Sequence, residues 1–316
     1  MTLDKPSRNH YSSRRSLLRA VGTLPIAMAA LPQRTGAAEG EKIPQIRIGK
    51  YLISRLICGV NPFMGISHMS GMLDQDFRQY YTREQVLETL RHCQKVGINT
   101  WQGGANSTPR FFDKDSGIQC IVNDSGDFAR IQQWAKMGCM AIGHHGGATD
   151  KLFRLGQLEQ VREYCKRVRD AGLLVGLVSH MPDVFDAVES QGWDVDYYMT
   201  SVYPFGRTRA ELEKLLPKGL LPVEAKTLDS PEVYLESDPP RMYRVIRQTK
   251  KPCLAFKILA AGRRCQSPEH VAEAFREAFQ NINPTDAVVV GIYDRHNDLA
   301  AQNAEYVRRF SSLSSA

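Results

Sequence analysis

Several histidines follow directly on short apolar segments, where they could take part in acid–base chemistry. His144 and His145 follow one such segment, and His180 and His296 follow two others. Imidazole titrates near neutral pH, so histidines that converge on one site predict proton transfer or metal binding. Neighbouring residues of an extended chain point to opposite faces, and we expect His144 to face the site, with Asp124 orienting a partner. The alternative is that each histidine simply hydrogen-bonds its own loop.

A metal centre is a second hypothesis for the same side chains. Its candidate ligands are His68, His144 and His180, together with Asp124 or Glu224. Imidazole and carboxylate suit zinc, iron or manganese, but the spacing matches no recognisable metal motif. The cofactor therefore stays open between a divalent metal and a nicotinamide dinucleotide, NAD(P).

Lys257 places an ammonium group at the end of an otherwise apolar segment, 253–259. Such a lysine pairs with a carboxylate, binds an anionic or hydroxylated substrate, or forms a Schiff base. We expect it to stabilise developing negative charge. Arg263 comes just before a helix that starts near Pro268, a favourable position for a phosphate or carboxylate.

Six side chains, two of them already named, are candidates for contacts with a small-molecule substrate. They are Asn61, His68, Trp101, Gln102, Tyr203 and Arg263. We expect the rings of Trp101 and Tyr203 to form a stacking wall for a sugar ring.

Short apolar segments alternate with amphipathic helices after residue 38, and about eight of them are candidate strands. These are 56–60, 98–101, 118–122, 139–142, 173–178, 195–199, 253–256 and 287–291. Strands that are apolar almost throughout, each followed by a helix, indicate a parallel sheet covered by helices. Eight such units over 39–316 predict an α/β fold, a single (β/α)8 TIM barrel, with its reactive groups at the strands' C-terminal ends. A doubly wound open sheet is the alternative, although no glycine fingerprint of such a fold is found in the sequence.

The connection over about 204–237, between the sixth strand and its helix, is unusually long. It contains a short helix over 209–216 and a polar stretch around 221–235. Long insertions at the catalytic rim of a barrel often act as lids. The alternative is an insertion without a role.

The first 38 residues have the pattern of an export signal. Arg14 and Arg15 precede the apolar run 20–31, and small residues follow at 35–38. This pattern resembles the twin-arginine signal, which predicts the export machinery as a partner and a periplasmic or extracellular location. The apolar run is too short to span a bilayer comfortably, so no stable span is expected in the mature chain. An uncleaved anchor stays open.

The charge of the chain is concentrated in the leader. The whole sequence carries +7, but residues 1–38 contain six Lys or Arg and a single acid, which leaves +2 for the remainder. A nearly neutral body gives no electrostatic reason to bind nucleic acid. The seven cysteines have no metal-type spacing, and most lie in apolar stretches, where we expect buried, unpaired thiols that pack in the core.

The layout resembles an aldo-keto reductase over most of the chain after the leader. The resemblance rests on 53–59, on 97–101, and on 286–291 followed by 303–305. Members of that family carry Asp, Tyr, Lys and His near the ends of strands two to four. Here the Asp position reads Gln102 or Gly103, the loop 106–112 has no tyrosine, strand three ends without lysine, and His144 matches the histidine. The resemblance therefore implies the fold more than the reaction.

Together these features predict an exported barrel enzyme that acts on a small polar substrate, a carbohydrate or related carbonyl compound. Acid–base or metal-assisted chemistry would be carried by His144, His180, Lys257 and Asp124. One alternative is an NAD(P)-dependent oxidoreductase of the aldo-keto reductase type. Another is a ligand-binding barrel without catalysis.

Overall fold

Eight parallel strands close into a barrel in the computed structural model of the protein, which describes residues 42–204, 206–217 and 232–314. A hairpin of β1 (Gln45–Ile48) and β2 (Tyr51–Ser54) precedes the barrel. The barrel strands are β3 (Leu56–Gly59), β4 (Thr100–Gly104), β5 (Gln119–Asp124), β6 (Ala141–His144), β7 (Leu174–Ser179), β8 (Tyr197–Ser201), β9 (Cys253–Phe256) and β10 (Ala287–Gly291). Each strand pairs with the next, and β10 closes on β3 with Val288 opposite Leu56. The predicted (β/α)8 barrel is confirmed, and the open sheet is excluded.

Helices cover the outside of the barrel. They are α1 (Gly71–Tyr80), α2 (Arg83–Lys95), α3 (Thr108–Phe111), α4 (Phe128–Lys136), α5 (Gly146–Arg154), α6 (Leu158–Asp170), α7 (Pro182–Ser190), α8 (Arg209–Leu215), α9 (Pro239–Gln248), α10 (Pro268–Asn281) and α11 (Leu299–Phe310). Several begin at side-chain caps, such as Thr82 accepting from the Gln85 amide. Caps of this kind satisfy first-turn amides that have no partner within the helix.

The apolar core has two layers, one inside the barrel and one between the strands and the helices. The hairpin residues Ile46, Ile48 and Ile53 pack with the interior layer, beside Ile57 and Ile121. These contacts lie where the strands begin, so the hairpin closes that end of the barrel. The mouth is therefore at the C-terminal ends of the strands, where parallel barrels collect their functional loops.

The long connection between β8 and α9 contains α8 and is described at both of its ends. A buried ion pair between Arg207 and Asp238 joins those ends. The middle of this connection, including the candidate ligand Glu224, lies outside the described residues, as does the leader 1–38. Export through the twin-arginine pathway stays a prediction. Among the helices that the structure describes, none has the length and apolarity to cross a bilayer.

Cysteines mostly pack in the core, as predicted. Six are buried, and Cys265 is exposed in the loop after β9.

Candidate active site at the barrel mouth

Side chains of a strand alternate between the barrel interior and the helix layer, and this alternation decides which predicted residues reach the mouth. In β6, Ala141 packs inside the barrel and Ile142 packs against the helices. His144 has the same outward orientation as Ile142. Its Nδ1 lies 2.8 Å from Thr149 Oγ1, and its ring lies 5.4 Å from the ring of Tyr164 in α6. This corrects the predicted orientation, because His144 faces the helices.

Asp124 and Trp101 are also turned towards the helix layer. The Asp124 carboxylate is fully buried, where it accepts hydrogen bonds from Trp134 Nε1 at 3.0 Å and from the Gly126 amide at 3.2 Å. It therefore organises the start of α4 instead of orienting a catalytic partner. Trp101 is 0% exposed and packs in the outer layer. Its ring cannot stack on a sugar at the mouth, so this part of the prediction is corrected too.

His145, the neighbour of His144, comes directly before α5 and is exposed. Desolvation and the nearby His180 lower its pKa, and the Asp150 carboxylate opposes them.

His180 is held at the rim by a carboxylate that the sequence analysis did not single out. Its Nδ1 lies 2.7 Å from Asp150 Oδ2, and Asp150 Oδ1 accepts from the Ser179 hydroxyl at 2.5 Å. His180 and Asp150 are 9% and 6% exposed. An ionised carboxylate can only accept, so Nδ1 carries the proton and the ring is fixed in one tautomer. The Asp150–His180 pair has the geometry of a base and the residue that orients it.

A second group, which we call the rim network, joins His68, Glu232, Tyr234, Lys257 and Arg263. Lys257 Nζ donates to the Tyr234 hydroxyl at 2.9 Å, and that hydroxyl donates to Glu232 Oε2 at 3.1 Å. Glu232 Oε1 lies 2.7 Å from His68 Nδ1. The Arg263 guanidinium lies over the Tyr234 ring, 4.1 Å from its centroid, and donates to the His68 carbonyl. The network is a continuous hydrogen-bonded path from an amine to an imidazole.

Phe256 brings the two groups together. Its side chain packs with the interior layer, and its ring lies 5.4 Å from the His180 ring. Lys257 is the next residue in the chain. The His180 ring therefore contacts the residue that precedes Lys257 in the chain, which connects the Asp150–His180 pair to the end of β9.

Backbone strain is concentrated in the loops that carry the network. Four non-glycine residues among those described have a positive φ: His68 (55°), Lys257 (62°), Ala260 (47°) and Ala261 (50°). Such conformations cost free energy and persist where the surroundings hold them. Two of the four belong to the rim network, which supports a functional role for this region.

Burial and charge shift the protonation of the network. Desolvation lowers the pKa of Lys257 to about 8, with Arg263 adding to the shift and Glu232 opposing it. Burial, then Glu232, raises the pKa of Tyr234. Burial alone would raise the pKa of Glu232, but the hydrogen bond from His68 and the positive charges nearby outweigh it, and the net shift is downward. The site thus holds a protonated phenol between a carboxylate and a readily deprotonated amine.

Three other predicted contact residues have less direct access to the mouth. The Asn61 amide lies 3.2 Å from His68 Nε2, so Asn61 supports the network. Gln102 faces the interior and donates to the Gly103 carbonyl at 2.6 Å. Tyr203 is 5% exposed and packs against Tyr234 at 5.5 Å between ring centroids. Trp101 and Tyr203, the rings of the predicted stacking wall, therefore expose almost no surface to a sugar.

Asp150, Glu232 and Tyr234 were not among the residues that the sequence pointed to. Asp150 lies within α5, where periodicity predicts a solvated face. Glu232 and Tyr234 lie in the polar stretch of the insertion, without a motif to mark them. The unusual length of that insertion predicted that it contributes to the rim. It did not indicate which of its residues do so.

Metal binding receives no support from the described residues. Within those ranges, no group of three His, Cys, Asp or Glu side chains is placed to hold a metal ion. His144 faces the helices, whereas His68 pairs with Glu232 and His180 with Asp150. The three candidate histidines thus belong to three separate groups.

The fold and the mouth define a TIM barrel with a polar site at its C-terminal rim. No protein-family model and no curated protein matches the chain. Among solved structures, it is similar to a truncated 3-deoxy-D-arabino-heptulosonate 7-phosphate synthase from Thermotoga maritima, with 14% identity over 86% of this chain and 92% of that one, and a TM-score of 0.48.

Two other barrels show similarity at the same level. The D-psicose 3-epimerase of Clostridium cellulolyticum H10 has 10% identity over 82% of this chain and 99% of its own, with a TM-score of 0.44. The glycerol dehydrogenase of Gluconobacter oxydans, an aldo-keto reductase, has 11% identity over 86% and 97%, with a TM-score of 0.39. At this level the similarities do not indicate a reaction.

Proposed function

We propose that the protein is an enzyme that transfers protons to and from a small polar carbonyl compound, of the carbohydrate type, at the barrel mouth. The observation that carries the proposal is the hydrogen-bonded path from Lys257 through Tyr234 to Glu232. Acid–base catalysis needs donors and acceptors whose pKa values lie near the working pH and whose positions are fixed. Lys257 meets the first condition and the network meets the second.

The two groups at the mouth have complementary roles in this proposal. His180, oriented by Asp150, takes a proton from the carbon beside the carbonyl. Lys257 and Arg263 supply positive charge to the carbonyl oxygen as negative charge develops there. Tyr234 supplies or receives the proton on that oxygen.

Deuterium exchange with a panel of simple carbonyl compounds tests the proposal. The purified protein is incubated in D₂O with dihydroxyacetone, glyceraldehyde, pyruvate and a range of aldoses and ketoses, and proton NMR follows the signals beside the carbonyl. We expect enzyme-dependent exchange in at least one compound and a loss of about 100-fold or more in Tyr234→Phe, since one general acid–base group contributes about that much.

The matched control is Tyr51→Phe, in the hairpin at the closed end of the barrel, which should exchange like the wild type. Exchange with no compound, or full activity in Tyr234→Phe, would overturn the proposal. A non-catalytic barrel would give the first of these results.

A further inference from the structure

We infer that Lys257 acts as a nucleophile and binds the carbonyl carbon of the substrate covalently, as an iminium. The inference deepens the proposed function, on which it rests, by giving the lysine a chemical bond in place of a purely electrostatic role. It follows from three features of the site: a path that can remove the proton from the amine, surroundings that favour the neutral amine, and a hydroxyl that contacts the amine.

The path for the proton begins at Lys257 itself. Its ammonium donates to the Tyr234 oxygen, and the Tyr234 hydroxyl donates in turn to Glu232. When the Lys257 proton moves to the Tyr234 oxygen, the phenolic proton can move to Glu232 in the same direction. Glu232 accepts on its other oxygen from His68, whose Nε2 in turn accepts from the Asn61 amide, so the carboxylate at the end of the path is held in place. The amine can thus become neutral without direct access to bulk water.

The surroundings favour the neutral amine. Lys257 is half-buried, and Arg263 shares the Tyr234 ring with it, at 4.1 Å for the guanidinium and 5.4 Å for the ammonium. Desolvation, with Arg263 adding to it and Glu232 opposing it, lowers the pKa of Lys257 to about 8, which raises the fraction of neutral amine near pH 7. For a lysine of ordinary pKa the fraction is below about one in a thousand. A desolvated lysine beside another cation is a known way to activate an amine nucleophile.

The reaction conserves atoms and charge. The nitrogen lone pair forms a bond to the carbonyl carbon while the C=O π bond breaks, and Tyr234 passes a proton from nitrogen to oxygen, which gives a neutral carbinolamine. A second proton, taken from solvent through Glu232, lets the hydroxyl leave as water. The product is a positively charged iminium, and its charge acidifies the neighbouring C–H bond. His180, whose ring contacts Phe256 next to Lys257 in the chain, is the base that we assign to take that proton.

The class of substrate follows from this chemistry. An iminium forms from an aldehyde or an unhindered ketone, and the polar groups around Lys257 suit a hydroxylated or carboxylated one. Dihydroxyacetone, glyceraldehyde and pyruvate are therefore suitable probes.

Reductive trapping tests the inference on the whole protein. Each probe is incubated with the protein in the presence of borohydride, which reduces an iminium to a stable secondary amine, and intact mass and peptide mapping follow. We expect a mass increase equal to the probe less one oxygen atom, located on Lys257. Labelling of Lys257 should exceed that of Lys251, which forms an exposed ion pair with Glu189, by at least about tenfold.

Variants separate the covalent role from the electrostatic one. Lys257→Arg keeps the positive charge but should lose both the adduct and the deuterium exchange, whereas Lys251→Ala should keep both. Tyr234→Phe should slow trapping without changing its site. Because the labelled residue is identified in the wild-type protein, this part of the test remains valid even if a variant fails to fold.

The possible results also separate this inference from the proposed function. Exchange without an adduct on Lys257, or exchange that survives in Lys257→Arg, overturns the covalent inference and leaves proton transfer standing. An adduct on Lys257 without exchange supports the nucleophile and overturns proton transfer. Labelling that is equal on Lys257 and Lys251 overturns the inference as well.

Discussion

The Asp150 carboxylate fixes the orientation of a histidine that would otherwise rotate freely at the rim. It receives three donors: His180 Nδ1, the Ser179 hydroxyl and the His180 amide. A buried carboxylate needs such partners, because leaving its charge unpaired in the interior costs several kcal/mol. Asp150 does not face the reacting atoms, so we regard it as a positioning residue that acts through His180.

Replacing Asp150 by asparagine tests this positioning role. We expect Asp150→Asn to lower the deuterium-exchange rate by at least about tenfold, because an amide no longer enforces the Nδ1-protonated tautomer. Nitrogen-15 NMR of the imidazole should show the change of tautomer directly. A purely structural role would lower stability and leave the tautomer as it is.

A second aspartate–histidine pair provides the matched control for this substitution. His92 and Asp298 lie 2.8 Å apart on the exterior, and Asp298 also caps α11. Asparagine caps helices about as well as aspartate, so Asp298→Asn should keep its exchange rate. An equal loss of activity in both variants would contradict the positioning role of Asp150.

Two strands of the barrel fit together through a glycine and a tyrosine. Tyr197 of β8 points into the barrel and is fully buried, and its ring fills the space beside Gly176 of β7. A methyl group on Gly176 would overlap that ring. The backbone of Gly176 has no positive φ, so the need for glycine here is purely steric.

Gly176→Ala is therefore expected to destabilise the barrel by about 2 kcal/mol, since a buried ring cannot move aside without disturbing its neighbours. Chemical unfolding measures the change. Combining it with Tyr197→Leu should recover part of the loss, which is the signature of coupled neighbours. Gly71→Ala, in the first turn of α1 with open space around it, should have little effect. Additive losses in the double variant would contradict the steric explanation.

The same elements show what the sequence could predict. All eight barrel strands were located to within a few residues, because buried parallel strands are apolar and each helix ends at a recognisable signal. Orientation was harder, because one residue of register turns a side chain from the mouth to the helices. His180 and Lys257 follow the ends of β7 and β9, whereas His144 and Asp124, which were expected at the mouth, face the helices. Tyr234 and Glu232 reach the site through a long connection that has no periodicity.

At the scale of the whole molecule, the first strand of the barrel is tied to the end of the chain. Arg55, just before β3, donates to the carbonyls of Asp286, Asn283 and Ser311. Burial lowers its pKa to about 10, with Asp286 opposing the shift. These bonds join the segments on both sides of the seam where β10 meets β3.

Buried ionisable groups also determine how the stability of the whole fold depends on pH. His144 is 2% exposed, and desolvation, with a smaller effect of His145, lowers its pKa from 6.5 to about 4. The unfolded chain therefore binds a proton at this residue between pH 6.5 and pH 4, and the native protein does not. Above pH 6.5 the residue has no effect on the pH dependence. Below that, stability decreases as the pH falls, by up to about 3 kcal/mol near pH 4.

His144→Gln removes this titration, so the stability of the variant should depend less on pH between 6.5 and 4. The free energy of unfolding, measured with urea from pH 7 to pH 4, should fall about 2 to 3 kcal/mol less in the variant than in the wild type. At pH 7 the variant should be the less stable of the two, because the imidazole packs against Tyr164 and bonds Thr149. Thr149→Val is the control for the lost hydrogen bond. Its free energy of unfolding should be lower than that of the wild type at every pH, and should still fall steeply as the pH decreases from 6.5 to 4. An unchanged slope in His144→Gln would show that the imidazole already takes up its proton in the native state, and that burial in the helix layer does not exclude the charge.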